Sequence, residues 1–282
     1  MKYISFTAIL LIGLITPVWA QIDVPPWSPQ FTVSGTIGFC EVSVEYSRPS
    51  ARNRQVAGNL IPFGEVWRTG ANASTKITFS EDVLVEGNPV PAGKYALYTI
   101  FNEEVATIIL SKNLDWWGSL GYDKSYDQLR FDVKVKHPSS HYETLTMSFS
   151  DFTRNSANLN MKWEHTKAMF KIESDIDSRI MEQINEQVVS GTPDKLNAYL
   201  QAANYYYDTD RDLDMALKWI NYYIEGSEND QYWVFHSKAK ILHKMGNHKE
   251  SIKAAEKSIE LAEKGGNPDY VRLNQVLIQK MK

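Results

Sequence analysis

Hydrophobic and polar residues alternate with a period of two through much of the chain before residue 172. The alternation is clearest in four segments: Cys40–Tyr46, Leu129–Val135, Leu145–Phe149 and Ala157–Trp163. Such strands bury one face and expose the other, as antiparallel strands commonly do. Tyr95–Phe101 and Val105–Leu110 are apolar on both faces and are predicted to be central strands. Roughly eight to ten short strands are expected in residues 21–172, arranged as an antiparallel β-sandwich or a flattened barrel.

The hydrophobic period changes to about 3.6 near residue 172, which is typical of amphipathic helices. Six helices are predicted, at about residues 174–189, 194–208, 212–226, 230–245, 248–264 and 268–281. A weak repeat with a step of 35 residues relates Leu200 to Phe235 and Tyr207 to Leu242. Helix-turn-helix units of about this length resemble tetratricopeptide repeats. The expected fold class is α+β multidomain, with an all-α tetratricopeptide-like helical tail over residues 173–282.

Residues 1–20 have the features of a cleavable signal peptide. Lys2 precedes the mostly apolar stretch Ile4–Val18, and Val18-Trp19-Ala20 places small residues where a signal peptidase reads the chain. The alternative is an N-terminal anchor helix, for which the apolar stretch is short. The only cysteine, Cys40, lies outside a lipoprotein cleavage context. We therefore expect a periplasmic or secreted protein with no membrane anchor after signal cleavage.

The composition argues against several classes of protein. A single cysteine permits no intramolecular disulfide, so the fold must depend on its hydrophobic core. The formal net charge is −4 and basic residues are not clustered, which argues against a nucleic-acid partner. The chain has no Gly-x-Ser-x-Gly elbow, no His-Glu-x-x-His pair and no glycine-rich phosphate loop. His137 and His141 are four residues apart, but Pro138 breaks any helix that would align them. We predict no cofactor and no bound metal.

Several short motifs stand out in the β-rich half. They are Tyr46-Ser-Arg-Pro49, Arg54, Gly58-Asn-Leu-Ile-Pro-Phe-Gly64, Val66-Trp-Arg-Thr-Gly-Ala-Asn72, Pro91-Ala-Gly-Lys-Tyr-Ala-Leu-Tyr98, Trp117-Gly118 and Trp163-Glu164. Together they closely resemble the family called domain of unknown function (DUF) 2911, which occurs on exported bacterial proteins. The resemblance covers nearly all of residues 28–172 and implies a β fold, but it implies no activity. An acidic residue commonly follows the Asn that corresponds to Asn72 in that family, whereas this chain has Ala73 there.

The first candidate ligand site is the segment between Arg48 and Asn72. It concentrates four arginines, a tryptophan and an amide among turn residues: Arg48, Arg52, Arg54, Trp67, Arg68 and Asn72. Guanidinium groups that converge on one pocket would bind a carboxylate or a phosphate. The alternative is that these arginines pair with Glu45, Glu65 and their neighbours to hold a long loop at the edge of the sandwich. Trp67 is also expected to serve the core rather than a ligand.

The second candidate is the aromatic segment that contains Trp116, Trp117 and Tyr122, beside Asp115 and Asp123. Aromatic rings in a loop can stack on sugar faces, and nearby carboxylates can bond hydroxyl groups or act as acid and base. The alternative is structural, with one tryptophan filling the end of the sandwich and the other half exposed.

Three functions are compatible with these features. The leading hypothesis is a non-catalytic envelope protein that binds a small anionic or glycan ligand, or a protein partner, with a helical tail as interaction surface. The second is a hydrolase of an envelope or imported polymer that uses Glu65, Asp115 or Asp123. The third is a pure protein-interaction scaffold in which only the helices bind a partner.

Overall fold

A computed structural model describes residues 24–191 and 196–281 of the chain. The described residues form two compact units, one ending at Ser174 and the next beginning at Asp175. The predicted signal peptide, Met1 to Ala20, lies outside the described residues. No helix in the described part of the chain is long and apolar enough to cross a membrane.

Twelve β-strands form two antiparallel sheets within residues 24–191. The first sheet contains, in spatial order, β1 (Gln30–Ile37), β2 (Cys40–Ser47), β4 (Thr75–Phe79), β7 (Gly93–Phe101), β8 (Val105–Ser111) and β9 (Asp127–Lys134), and β3 (Val66–Trp67) also pairs with β7. The second sheet contains β10 (Tyr142–Ser150), β11 (Ser156–Glu164), β12 (Thr166–Ser174), β5 (Val83–Val85) and β6 (Asn88–Val90).

The inward side chains of both sheets form one hydrophobic core. β2 illustrates the pattern, because Cys40, Val42, Val44 and Tyr46 are buried while the residues between them are exposed or half-buried. The central strands β7 and β8 are buried on both faces over most of their length, as their continuous apolar sequences predict. The sandwich alternative is confirmed, since the two sheets remain separate and do not close into a barrel.

The chain crosses between the sheets in a way that sequence periodicity does not reveal. After β4 of the first sheet it forms the β5–β6 hairpin in the second sheet and then returns to the first as β7. The hairpin is held there by β12, through the pairs Val85↔Ile172 and Val83↔Ser174. The helix expected from residue 174 therefore begins only at Asp177, because Ser174 still belongs to the sheet.

Six α-helices lie within residues 175–191 and 196–281. They are α1 (Asp177–Ile184), α2 (Asn197–Asp208), α3 (Leu213–Gly226), α4 (Tyr232–Lys244), α5 (His248–Lys264) and α6 (Pro268–Gln279). A π-helical turn over Asn185–Val189 replaces the last part of the first predicted helix. Asp212 caps the N-terminus of α3, since its carboxylate accepts a hydrogen bond of 3.0 Å from the Met215 backbone N–H.

A buried polar network joins three of these helices. Asn274 of α6 is fully buried and its Nδ2 donates to Ser258 Oγ at 2.8 Å and to the Tyr270 carbonyl at 2.7 Å. Its Oδ1 lies 2.8 Å from His236 Nδ1 of α4. Ser258 of α5 in turn donates to the Tyr232 carbonyl at 2.7 Å. Because every member has a partner, the network fixes the relative positions of α4, α5 and α6.

Candidate functional site

A loop over residues 112–126 crosses the outer face of the first sheet and covers a small second hydrophobic cluster. Trp116 is its centre, with ring centroids 6.3 Å from Tyr98, 5.7 Å from Tyr122 and 5.4 Å from Tyr126. Tyr98 is fully buried beneath it, beside Ala96 and Ile109. Trp116 therefore anchors the loop to the sheet through its ring.

Tyr122 holds the far end of this loop. Its hydroxyl donates to the Asp127 carboxylate, whose two oxygens lie 2.7 and 2.8 Å away, and accepts a bond of 2.5 Å from Arg130. Arg130 also forms a salt bridge of 3.0 Å with Asp127. Burial, and then the bond to Asp127, raise the pKa of Tyr122 to about 12. The three side chains satisfy one another, which leaves Tyr122 a structural role.

The middle of the loop is fixed at Gly118. Its carbonyl accepts a bond of 3.2 Å from the Tyr98 hydroxyl, and its φ of +71° lies in the left-handed region that favours glycine. A Cβ at this position would lie 2.6 Å from a terminal guanidinium nitrogen of Arg68. The two segments singled out in the sequence, residues 48–72 and 115–123, therefore meet at this contact.

A polar groove lies beside the loop on the same outer face of the first sheet. It encloses about 880 Å³, its open mouth included. Its lining residues are Pro26, Ser28, Gln30, Glu45, Tyr46, Ser47, Asn72, Ala73, Ser74, Lys76, Lys94 and Trp117. Trp117 is 66 % exposed. The groove brings together Asn72 and Trp117, one residue from each candidate segment.

A family model for a protein of unknown function, DUF2911, matches residues 28–172, which carry every lining residue of the groove except Pro26. The chain belongs to this family. A comparison with curated proteins and a comparison with solved structures found no significant match. The DUF2911 match does not extend to the helices, so their tetratricopeptide-like character remains a prediction.

One of the two lysines that line the DUF2911 groove forms a salt bridge, and the other does not. Strand register places Glu45 of β2 directly opposite Lys76 of β4. Glu45 nevertheless forms its salt bridge with Lys94 of β7, at 3.1 Å. Lys76 Nζ donates instead to the Ser74 carbonyl at 3.1 Å and to the Ser74 hydroxyl at 2.5 Å. Within the described residues Lys76 forms no salt bridge, so its ammonium has no carboxylate partner.

The surroundings of Lys76 disfavour its charged form. Burial lowers its pKa below the usual value for lysine, and the charge of Lys94 lowers it further. Asp115 and Glu45 act in the opposite direction, but their effect is smaller. An anion placed in the groove would restore the ordinary pKa, so the site is electrostatically suited to negative charge.

The arginines of the first candidate segment have different neighbours. Arg48 reaches the second sheet, where its Nε donates to the Leu145 carbonyl at 3.1 Å and a terminal nitrogen donates to Thr146 Oγ1 at 3.0 Å. Arg54 donates to backbone carbonyls of its own loop. Arg52 stacks on Trp27, with the guanidinium carbon 4.5 Å from the ring centroid. These three contacts belong to the loop and the sandwich edge.

Arg68 differs from the other arginines. Its Nε is buried without a hydrogen-bond partner among the described residues, and its terminal nitrogen lies against Gly118. Trp67, the preceding residue, points into the core on the other side of the sheet, where it stacks on Trp163 with centroids 5.9 Å apart. Its Nε1 donates to the Gly70 carbonyl at 3.1 Å. Trp67 therefore packs as a core residue, in line with the structural alternative.

Asn72 sits at the groove wall in a left-handed conformation, with φ of +60°. Its Nδ2 makes long hydrogen bonds of 3.3 Å to the Ser28 carbonyl and to Ser47 Oγ. Ala73 lies next to it in the groove. Glu45 is the only carboxylate among the groove-lining residues that the structure describes.

The carboxylates proposed for a hydrolase have other surroundings. Asp123 caps the short 3-10 helix Lys124–Tyr126 by accepting a bond of 2.9 Å from the Ser125 backbone N–H, which lowers its pKa. Glu65 and Asp115 are exposed. Over the part of the chain that the structure describes, no group of three or more His, Cys, Asp or Glu residues could hold a metal ion.

Sequence reasoning did not select Glu45, Ser74, Lys76 or Lys94 as site residues. Three of them are polar residues on the outward faces of strands, which is the ordinary pattern of a half-solvated sheet. They become a group only through the register of three strands that are not all adjacent in the chain.

Proposed function

We propose that the protein is a non-catalytic binding module whose β unit holds a saccharide in the groove beside Trp117. The observation that carries the proposal is an exposed tryptophan on a firmly anchored loop at the rim of a polar groove. Indole rings stack on the apolar faces of sugar rings while polar side chains bond the hydroxyl groups.

The contrast between neighbouring tryptophans supports a binding role for Trp117. Trp116 already fills the space between loop and sheet, so the fold has no packing use for a second ring. Trp117 is instead left largely in water, where an indole is unfavourable unless a ligand covers it. The contacts of Trp116, Gly118 and Tyr122 hold the backbone on both sides of Trp117 in place before binding. A preorganised side chain loses little conformational entropy when a ligand arrives.

The groove has the chemistry for hydroxyl recognition and little for hydrolysis. Asn72, Ser28, Ser47 and Gln30 provide neutral donors and acceptors. Glycoside hydrolysis generally requires a pair of carboxyl groups across the bond that is cleaved. Among the described lining residues Glu45 is the sole carboxylate, and Lys94 already neutralises it. Binding without catalysis is the function that these groups favour.

The proposal places the protein outside the cytoplasm, as an exported envelope or secreted protein. Its support is the signal-peptide pattern of residues 1–20. Expression in a bacterial host followed by intact mass measurement tests it, with a mature chain beginning at Gln21 as the expected product. An uncleaved chain would contradict export by this route. The helical unit is proposed as a surface for a protein partner, because stacked helix pairs present extended grooves.

Screening the purified protein against a glycan array, followed by calorimetric titration of the best oligosaccharide, tests the saccharide proposal. Trp117→Ala is expected to weaken binding by about fivefold or more, since stacking on an aromatic ring supplies roughly 1–3 kcal/mol by analogy with base stacking. Leu120→Ala is the matched control, because Leu120 is 80 % exposed on the same loop but does not line the groove. Equal affinity of Trp117→Ala and the wild type would refute the proposal, as would release of shorter products from the oligosaccharide.

A further inference from the structure

We infer that the ligand of this groove is an acidic saccharide, and that the ammonium group of Lys76 binds its negative group. The inference rests on the proposed saccharide site and specifies the chemical class of its ligand. Its basis is an ammonium group that lines the groove without a carboxylate partner, beside a lysine–glutamate pair that is complete.

Lys76 and Lys94 differ in how the protein compensates their charges. Lys94 Nζ lies 3.1 Å from both carboxylate oxygens of Glu45, so its charge is compensated within the protein. Lys76 is only half-exposed and its described hydrogen bonds go to Ser74, whose oxygens are neutral. A lysine ammonium has three donors. One donor of Lys76 therefore remains for a ligand, and only the more distant carboxylates of Glu45 and Asp115 act on its charge.

The register of the sheet makes this arrangement informative. Glu45 stands directly across from Lys76 on the neighbouring strand, where opposite charges ordinarily pair. The carboxylate instead pairs with Lys94, whose strand neighbours β4 on its other side. Two lysines and one glutamate line the groove, so the charged lining is positive overall. A neutral sugar would leave Lys76 uncompensated, whereas a uronate or a sulfated sugar would supply the missing anion.

A consequence for pH follows from the groups that face Lys76. Burial and Lys94 of β7 lower its pKa, while Glu45 of β2 and Asp115 of the covering loop raise it. A bound anion would raise the pKa again, because it stabilises the charged form. Affinity for an acidic saccharide is thus expected to decrease as alkaline pH removes the Lys76 proton. Affinity for a neutral saccharide should not follow that titration.

The test is calorimetric titration of the full-length mature protein with three probes of equal length. They are tetragalacturonate, its methyl-esterified neutral counterpart and a sulfated tetrasaccharide. Proteins to be compared are the wild type, Lys76→Met, and Lys134→Met as a matched control on the exposed face of β9. Methionine retains the aliphatic length and removes the charge. Thermal unfolding of each variant establishes that it is folded.

The expected result is that at least one acidic probe binds tenfold or more tightly than the neutral probe. Lys76→Met should abolish that preference while Lys134→Met retains it, since a hydrogen bond to a charged group commonly changes affinity by roughly tenfold or more. The carboxylate and sulfate probes separate the two sources of negative charge.

Three outcomes would overturn the inference. Equal binding of charged and neutral probes that still depends on Trp117 would leave the saccharide proposal intact and remove only its acidic specificity. If Lys76→Met and Lys134→Met lose the same amount of affinity for the acidic probes, the preference for acidic probes would reflect only general charge attraction and not a contact with Lys76. Failure of every saccharide on the array, with no effect of Trp117→Ala, would refute both proposals together.

Discussion

A side chain at Gly118 would meet Arg68: an ideal Cβ at this glycine lies 2.6 Å from a terminal guanidinium nitrogen. Gly118 also has a φ of +71°, which side-chain-bearing residues rarely adopt. The contact ties the loop over residues 112–126 to the segment that follows β3. Both parts border the groove, so the position of Trp117 depends on this close approach.

Gly118→Ala is expected to lower the free energy of unfolding by about 1–2 kcal/mol, chiefly from left-handed strain and to a smaller extent from the displacement of the Arg68 guanidinium. Gly87→Ala is the matched control. Gly87 has a similar φ of +77° but open space around it, so only about 1 kcal/mol should be lost. Urea denaturation measures both. Adding Arg68→Ala should remove the extra cost of Gly118→Ala; an unchanged difference would show that Arg68 is not its source.

Replacing one of the two adjacent tryptophans should lower stability, whereas replacing the other should leave it almost unchanged. Trp116→Ala is expected to cost about 3 kcal/mol, because its ring packs on Tyr98, Tyr122 and Tyr126. Trp117→Ala should remain within about 0.5 kcal/mol of the wild type, since the ring is 66 % exposed. Thermal unfolding gives both values. A large loss of stability in Trp117→Ala would assign that ring to packing.

The contribution of Tyr122 to stability should be lost at alkaline pH. Its pKa is raised from 10.0 to about 12 in the folded protein, so its stabilising effect is complete below pH 10. As pH rises toward 12 the unfolded chain loses the Tyr122 proton first, and that stabilisation disappears. In Tyr122→Phe the free energy of unfolding should therefore decrease less steeply over this interval. Parallel curves for wild type and variant in urea would contradict this assignment.

Asn274 is expected to be one of the most sensitive positions of the helical unit. Asn274→Ala removes three hydrogen bonds and leaves Ser258 and His236 buried without this partner, at a cost of about 2–3 kcal/mol. Gln275→Ala, at the next and exposed position of α6, should change stability by less than about 0.5 kcal/mol. Far-ultraviolet ellipticity follows the helices during unfolding. Similar values for the two variants would show that the network contributes little.

His236 should make the helical unit less stable in mild acid. Burial lowers the pKa of His236 below the usual value for histidine, although the bond to Asn274 opposes this effect. Its contribution is complete above pH 6.5 and is lost as pH falls, because the unfolded chain takes up the proton more readily. His236→Gln should reduce the difference in unfolding free energy between pH 7.5 and pH 5.5. If this difference in unfolding free energy is the same in His236→Gln and the wild type, groups other than His236 cause the loss of stability in acid.

Local patterns predicted most of the fold. The alternation of Cys40–Tyr46 and Ala157–Trp163 corresponds to β2 and β11, and the helix predicted at about residues 248–264 corresponds to α5. These features depend on neighbouring residues alone, so the sequence pattern contains them. The first helix is predicted to begin at about residue 174 but begins at Asp177, because Ser174 remains in the sheet through its pairing with Val83. That pairing joins distant parts of the chain and has no local signal.

Only part of the candidate site could be predicted from the sequence, because the rest depends on contacts between distant parts of the chain. Asn72 and Trp117 were selected for their chemistry, and both line the groove. Lys76 was missed because a lysine on the outward face of a strand is ordinary until its neighbours are known. Its significance depends on the pairing of Glu45 with Lys94, which follows from the register of β2, β4 and β7.

The placement of the β5–β6 hairpin has a consequence for how the protein is made. The hairpin joins the second sheet only through β12, which leaves the ribosome after some eighty further residues have been added. Until then its strands have no partner in that sheet, and the β unit cannot complete its core. Nascent chains that end before Thr166 should therefore expose an unpaired edge and attract chaperones or proteases. The β unit can therefore complete its fold only after β12 has been synthesised.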